Sequence, residues 1–130
     1  MTVHDFDRAM LALASWQEAS DMSADVMLCI AHTIMNLAQR DNISIGEAIL
    51  KHKVLHGSSL DGKQPDVRDP VFVRLLQRIE EVGGLIRSDI TKGAIYHVDL
   101  SAPIPEALSS IVTDADHGLT AVYGNLHFFM

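Results

Sequence analysis

The sequence is poor in cysteine: its 130 residues include one, Cys29. A lone cysteine excludes an intrachain disulfide, so we expect a fold that does not depend on an oxidising compartment. Cys29 stands in the apolar run VMLCIAHTIM, and a free thiol in such a run is typical of a buried packing residue.

Positive charge is also scarce, since 10 Lys and Arg stand against 17 Asp and Glu and give a net charge of −7 at pH 7. No cluster of Lys or Arg marks a phosphate-binding surface, and we therefore expect no nucleic-acid partner.

Long hydrophobic runs are missing as well. The longest, residues 26–38, is interrupted by polar residues and falls short of the roughly 20 apolar residues that cross a bilayer, so we predict that the chain is not membrane-inserted. The opening segment MTVHDFDRAM lacks the basic and apolar regions of a secretory signal, and we expect synthesis in the cytoplasm without a signal peptide.

Helical periodicity dominates the first half of the chain. Residues 3–19 are predicted as a helix with an apolar stripe of Phe6, Ala9, Met10, Leu13 and Trp16. Ser23 is a good N-cap for a second helix that runs to about Arg40 and is apolar on nearly all faces, which predicts burial all round.

Capping and turn signals place the remaining elements. Ser44 followed by Glu47 is a capping-box pattern and predicts a short helix over 45–52. Residues 54–69 are predicted as loop, with a short hairpin around Asp61–Gly62 as an option. Asp69–Pro70 predicts the start of another helix, which Gly83–Gly84 ends.

The periodicity then changes from helical to alternating. Residues 94–100 alternate in the manner of a strand, and the last residues predict two strands around Gly124–Asn125. Helices first and strands last indicate a single α+β domain over 1–130, with a small antiparallel sheet against a helical body.

Two groups of residues raise the question of a metal site. His52 and His56 are four residues apart and share a helix face, but no Glu lies between them as in zinc proteases. We favour a solvated helix terminus there. For Asp114–His117 we favour a loop over a cation site, because no calcium-loop pattern surrounds it. We therefore predict no metal and no other cofactor.

Glu18 is the candidate reactive group. It falls in the last turn of the first predicted helix, where the helix dipole raises the pKa of a carboxyl group, and it lies beside Leu11 and Ala14. A partly desolvated carboxylic acid suits general acid catalysis near neutral pH. On these local grounds alone, a solvated helix end remains the better interpretation.

His32 and Asn36 are a polar pair inside the second helix, and buried polar groups need partners. For His32 we favour a satisfied core histidine. Asn36 either bonds to a loop backbone or lines a cleft, where it would help to hold a ligand or the reactive carboxylate.

Five segments in order resemble the cell-wall hydrolases of the spore-cortex-lytic type. They span about residues 12–129 and read ASWQEAS, VMLCIAHTIMNLAQR, ISIGEAI, TKGAIYHVD and LHFF. The resemblance implies a lysozyme-like α+β fold that cleaves the glycan strands of peptidoglycan. It places the catalytic glutamate at Glu18 and substrate-binding residues at Asn36, Tyr96 and His127.

The implied reaction is cleavage of the β-1,4 bond between N-acetylmuramic acid and N-acetylglucosamine. Asp21 is the one candidate for a second carboxylate near Glu18, so a one-carboxylate lytic transglycosylase route fits better than a paired-carboxylate hydrolase. An enzyme of this kind without a signal peptide fits a phage lysin or a virion-carried enzyme that acts on the bacterial cell wall.

The sequence also departs from the family pattern. The segment after Glu18 reads ASDM where the family has Ala-Arg-Gly-Glu, so the arginine and the second glutamate are absent. These departures motivate an alternative, a non-catalytic glycan-binding or phage virion or assembly module on the same fold. A third hypothesis is a small cytosolic helper protein whose resemblance is accidental.

Overall fold

The computed structural model of the 130-residue chain describes most of the sequence. The described residues are 5–19, 22–56, 66, 68–83, 91, 93–101, 103–113, 118–123 and 126–130. The predicted hairpin at Asp61–Gly62, the candidate loop at Asp114–His117 and the candidate second carboxylate Asp21 lie outside these residues.

Five helices and three strands make up the described part of the chain. The helices are α1 (Asp5–Ala19), α2 (Ala24–Asp41), α3 (Ile45–His56), α4 (Pro70–Gly83) and α5 (Glu106–Thr113). The strands are β1 (Tyr96–Asp99), β2 (Leu119–Tyr123) and β3 (Leu126–Phe129). The predicted α+β class, with a mostly helical body and a small antiparallel sheet, is confirmed.

Side-chain caps begin three of the helices where the sequence predicts them. The Ser23 hydroxyl accepts a hydrogen bond from the Val26 amide at 3.3 Å, and the Ser44 hydroxyl accepts one from the Glu47 amide at 3.1 Å. The carboxylate of Asp69 accepts from the Val71 amide at 2.8 Å. Each cap satisfies an amide that the helix itself leaves without a partner.

The predicted apolar stripe of α1 is wrong at Phe6 and Ala9, whereas its residues Met10 and Trp16 are partly buried and pack against the core. Phe6 is 72% exposed and Ala9 is exposed, whereas the buried residues of this helix are Leu11, Ala12, Ala14, Ser15 and Ala19. The small side chains let α2 and α4 pack closely against α1, while Phe6 lies in the first turn, away from that contact. Glu18 follows Leu11, Ala14 and Ser15 at helical spacing and therefore lies on the buried face.

The second helix is buried on nearly all sides, as predicted. Its residues Met27 to Ile34 are all buried, including Cys29 and His32. The helix contacts α1, α3, α4 and β1, so it is the element around which the others pack. Among the described helices, none combines the length and the apolar character that spanning a bilayer requires.

The sheet has the order β1-β3-β2, and both pairings are antiparallel. His97 lies opposite Phe128, and Val98 lies opposite His127. Because opposed residues point to the same side of a sheet, His97 faces one side with Phe128, and Tyr96 faces the other side with His127. The first side packs on Cys29 of α2, and the second packs on Leu108 and Ile111 of α5.

Several element boundaries differ from the predictions. Helix α3 extends to His56 rather than ending at His52, and β1 is shorter than the predicted 94–100. Helix α5 was not predicted. Its sequence EALSSIVT has the apolar spacing of a helix, but it follows Pro103 and Pro105 and is only eight residues long. Short helices of this kind form because they pack on a sheet, not because of their own propensity.

Asn36 connects α2 to the segment that precedes β1. Its side-chain amide donates a hydrogen bond to the Ala94 carbonyl at 2.8 Å, and Ala94 is fully buried. Of the two roles considered for Asn36, the structure supports a bond to backbone, since this contact holds β1 against the helical body.

We expect Asn36→Ala to lower the free energy of unfolding by about 1–3 kcal/mol, because it leaves the buried Ala94 carbonyl without this donor. Urea unfolding followed by circular dichroism measures the change. The matched control is Gln39→Ala, an exposed residue one turn along the same helix, with an expected change within about 0.5 kcal/mol. Equal effects of the two substitutions would show that the bond to Ala94 does not stabilise the fold.

Candidate functional site

A cavity of about 170 Å³ lies where the helical body meets the sheet. It is lined by the end of α1, Met22 before α2, Ile30 within α2, the end of α3, strands β1 and β3, and the segment before α5. Its polar lining residues are Glu18, His56 and His97. The remaining lining residues are apolar: Ala19, Met22, Ile30, Val98, Pro103, Pro105 and Leu126.

Glu18 is the one carboxylate among the described residues that line this cavity. Its side chain is only 8% exposed. One carboxylate oxygen lies 3.9 Å from Nε2 of His52, and the other lies 3.8 Å from Nε2 of His97. Residues from α1, α3 and β1 thus meet at a single carboxyl group.

Three histidine rings are stacked beside Glu18. The ring centroids of His52 and His56 are 4.0 Å apart, those of His56 and His97 are 4.2 Å apart, and those of His52 and His97 are 5.1 Å apart. The spacing of His52 and His56 on α3 places both on one helix face. His97 comes from β1, on the side of the sheet that it shares with Phe128 and that packs on α2.

Hydrogen bonds to backbone fix the ring of His56. Its Nδ1 lies 2.8 Å from the His52 carbonyl oxygen, and its Nε2 lies 3.2 Å from the His97 amide nitrogen. A carbonyl oxygen only accepts and an amide N–H only donates, so Nδ1 carries the proton and Nε2 accepts. The neutral tautomer of His56 therefore links the end of α3 to β1.

The three imidazoles are held in their neutral form. Burial lowers the pKa of His52 and of His97 well below the ordinary value, and to a lesser degree that of His56. Charge repulsion from neighbouring histidines lowers the pKa of His52 and His97 further, and Lys53 adds to the effect at His52. The carboxyl group of Glu18 is therefore flanked by two uncharged rings at pH 7.

The prediction of a solvated helix terminus at His52 and His56 is wrong. His52 is only 1% exposed, because α3 continues to His56 and its last turn packs against β1. Nitrogen atoms of His52, His56 and His97 lie within 4.8 Å of one another and form a group with the composition of a metal site. The four-residue spacing of His52 and His56 in the sequence indicates that these two histidines lie together. No sequence pattern indicates that His97 joins them.

The other residues that the resemblance assigns to the site do not line the cavity of Glu18. Asn36 lines a separate cavity with Arg40. The Tyr96 hydroxyl accepts a hydrogen bond from Arg40 at 3.1 Å and lies on the opposite side of the sheet from His97. His127 is half-buried on that same side, opposite Val98 and Val122.

A scan against protein-family models found no match, and neither a search of curated proteins nor a search of solved structures returned one. Support for a function therefore comes from the geometry around Glu18 and from the segments that resemble cell-wall hydrolases.

Because of the three buried histidines, we expect the free energy of unfolding to decrease in mild acid. A histidine whose pKa is lower in the folded state than in the unfolded chain binds fewer protons when folded. Its contribution to the free energy of unfolding is therefore fully present only above the unfolded pKa of about 6.5. Below that pH, stability falls by up to about 1.4 kcal/mol per pH unit for each such histidine, until the folded pKa is reached.

We expect His52→Gln to make this dependence shallower by about 1.4 kcal/mol per pH unit just below pH 6, since one buried histidine no longer titrates. Urea unfolding of the wild type and the variant from pH 8 to pH 5 measures the two slopes. Far-ultraviolet circular dichroism at pH 8 verifies that the variant is folded. Identical slopes would contradict the assignment of a lowered pKa to His52.

Proposed function

We propose that the protein cleaves the glycan strands of peptidoglycan on a lysozyme-like fold, with Glu18 as the general acid and then the general base. The observation that carries the proposal is the position of Glu18, a carboxylate with 8% side-chain exposure that lines a cavity between the helices and the sheet. Carboxyl groups largely removed from water serve enzymes as general acids near neutral pH.

A single carboxylate favours the transglycosylase form of this reaction. Most glycosidases use two carboxyl groups, roughly 5–10 Å apart, one as acid and one as nucleophile or base. Among the described residues that line the cavity, Glu18 has no carboxylate companion. The proposal therefore assigns both proton transfers to this one group, as in an intramolecular cleavage.

The chemistry balances with Glu18 alone. Protonated Glu18 donates its proton to the oxygen that links N-acetylmuramic acid to N-acetylglucosamine, and the bond from that oxygen to C1 of the muramic sugar breaks. The carboxylate then accepts the proton of the 6-hydroxyl of the same sugar, whose oxygen bonds to C1. The products are a 1,6-anhydro sugar and a free 4-hydroxyl, and Glu18 regains its proton.

The cavity accommodates the reacting end of the substrate better than a whole saccharide. Its volume of about 170 Å³ is below the roughly 300–1,000 Å³ of sites that enclose a complete small ligand. We therefore expect the strand to cross the surface and to insert one linkage. This geometry suits an extended polymer. The protein would act on the bacterial cell wall, and it would reach the wall in the way that phage enzymes do.

The assigned substrate-binding residues take different parts in this proposal. Asn36 is a positioning residue, because its bond to the Ala94 carbonyl holds the segment that carries His97. Tyr96 and His127 do not line the cavity of Glu18, so any contact with sugar would involve a part of the glycan strand outside the cavity.

We expect Glu18→Gln to lower the release of muropeptides from purified sacculi by about 100-fold or more, which is the range for loss of a general acid. The matched control is Glu47→Gln, an exposed carboxylate in the first turn of α3, which should leave release unchanged. Unchanged release by Glu18→Gln would overturn the assignment.

Mass spectrometry of the released products identifies the reaction. We expect 1,6-anhydro ends, whereas reducing ends would show a hydrolase and would overturn the one-carboxylate route. If the wild-type protein binds to sacculi but releases no muropeptides, the proposal is overturned and the protein is a glycan-binding module instead. No binding and no release would overturn both.

A further inference from the structure

We propose that His52, His97 and Glu18 form a binding site for a divalent transition metal of the zinc type, with His56 as the residue that positions the two other histidines. This proposal does not depend on glycan cleavage, although both involve Glu18. It differs from the interpretation of the sequence, which predicts no metal.

The donor set matches a common type of metal site. Nε2 of His52 and Nε2 of His97 approach the two carboxylate oxygens of Glu18 at 3.9 and 3.8 Å. Two imidazoles and one carboxylate are the protein ligands of many catalytic zinc and non-haem iron sites, which keep a further position open for water or substrate. The cavity beside Glu18 and His97 provides the space for that position.

Buried nitrogen atoms provide a second, independent observation. Both ring nitrogens of His52, and Nδ1 of His97, are buried and have no hydrogen-bond partner among the described residues. His52 is 1% exposed and His97 is 6% exposed. Burying such a polar atom without a partner costs about 1–3 kcal/mol. Coordination of a metal would offset that cost at Nε2 of His52, which is the one of these three atoms that is a proposed ligand.

The distances require only a small contraction. Nitrogen and oxygen ligands lie about 2.0–2.2 Å from zinc, so two ligands of a tetrahedral ion are about 3.4 Å apart. The observed separations of 3.8 and 3.9 Å would shorten by about half an ångström. Rotation of the Glu18 side chain would bring its oxygens closer to the two Nε2 atoms, and a shift of β1 toward α3 would bring the two histidines closer together.

His56 acts through its neighbours. Both of its ring nitrogens bond to backbone, one to the His52 carbonyl and one to the His97 amide. It therefore connects the two elements that present the nitrogen ligands, and it is a positioning residue rather than a ligand. Loss of a residue in this role typically weakens metal affinity by about 10–100-fold.

Nitrogen donors determine which ions the site would prefer. Imidazole suits Zn²⁺, Ni²⁺, Cu²⁺ and Fe²⁺, whereas Mg²⁺ and Ca²⁺ prefer sites made of oxygen atoms alone. We expect Zn²⁺ and Co²⁺ to bind and Mg²⁺ and Ca²⁺ not to compete.

Metal binding and the proposed proton transfer would exclude each other. A carboxylate that coordinates a cation is deprotonated and cannot act as the acid that starts glycan cleavage. If the protein releases muropeptides, one equivalent of Zn²⁺ should therefore suppress that release.

Isothermal titration calorimetry of chelator-treated, dialysed protein with ZnCl₂ measures the binding, and CoCl₂ provides a visible spectrum that reports coordination geometry. We expect one equivalent to bind. His52→Gln and His97→Gln should each weaken Zn²⁺ binding by about 100-fold or more, and His56→Gln by about 10-fold, on the scale of effects at metal sites. The matched control is His32→Gln, a buried histidine of α2 outside the group, with unchanged affinity.

Wild-type protein that binds neither Zn²⁺ nor Co²⁺ would overturn the proposal without any variant. So would binding that persists in His52→Gln and His97→Gln, because the metal would then lie elsewhere. Circular dichroism verifies that the variants fold. If one of the two ligand variants does not fold, the proposal is tested with the other variant and with the Co²⁺ spectrum of the wild-type protein. The two proposals are separated by assaying muropeptide release with the metal-free protein. Zn²⁺ binding, together with no release by the metal-free protein, would overturn the proposed function and leave the metal site standing.

Discussion

The structure depends on the burial of one carboxyl group and three imidazoles at the junction between the helices and the sheet. Glu18, His52, His56 and His97 come from three different elements, and every one of them leaves water when those elements pack. Burying polar groups opposes folding, and a domain has only about 5–15 kcal/mol of net stability to offset it. The apolar contacts of α2 on nearly all of its faces supply the compensating free energy.

The surrounding packing determines how closely these groups approach. Small residues on α1 allow α2 to lie near it, and this brings the last turn of α1 against the start of α2 and the end of α3. Two hydrogen bonds then locate β1, one from Asn36 to the Ala94 carbonyl and one from the His97 amide to His56. The site is therefore held by secondary structure and backbone contacts, which is the arrangement that keeps reactive groups in fixed geometry.

Local signals made much of the fold predictable. Ser23, Ser44 and Asp69 cap helices by chemistry that acts over two or three residues, and the alternation before Gly124–Asn125 indicates strands directly. The buried face of α1 was not predictable in this way, since ranking by hydrophobicity favours Phe6 whereas close packing selects alanine and serine. His97 joins His52 only through tertiary contacts, and spacing along the chain contains no information about them. The sequence singles out Glu18 as a candidate, but it does not indicate that His52 and His97 lie beside it.

The order of strands in the sheet has a consequence for how the protein is made. Strand β3 lies between β1 and β2, so β1 has no strand partner among the described elements until β3 has been synthesised. Helices α1 to α4 all precede β1 in the chain and emerge from the ribosome before it. A helical intermediate can therefore form while the sheet is still missing, as larger chains commonly do during synthesis. At that stage Glu18 and His52 have been synthesised but His97 is not yet held in place, so the candidate site is incomplete until β3 pairs with β1.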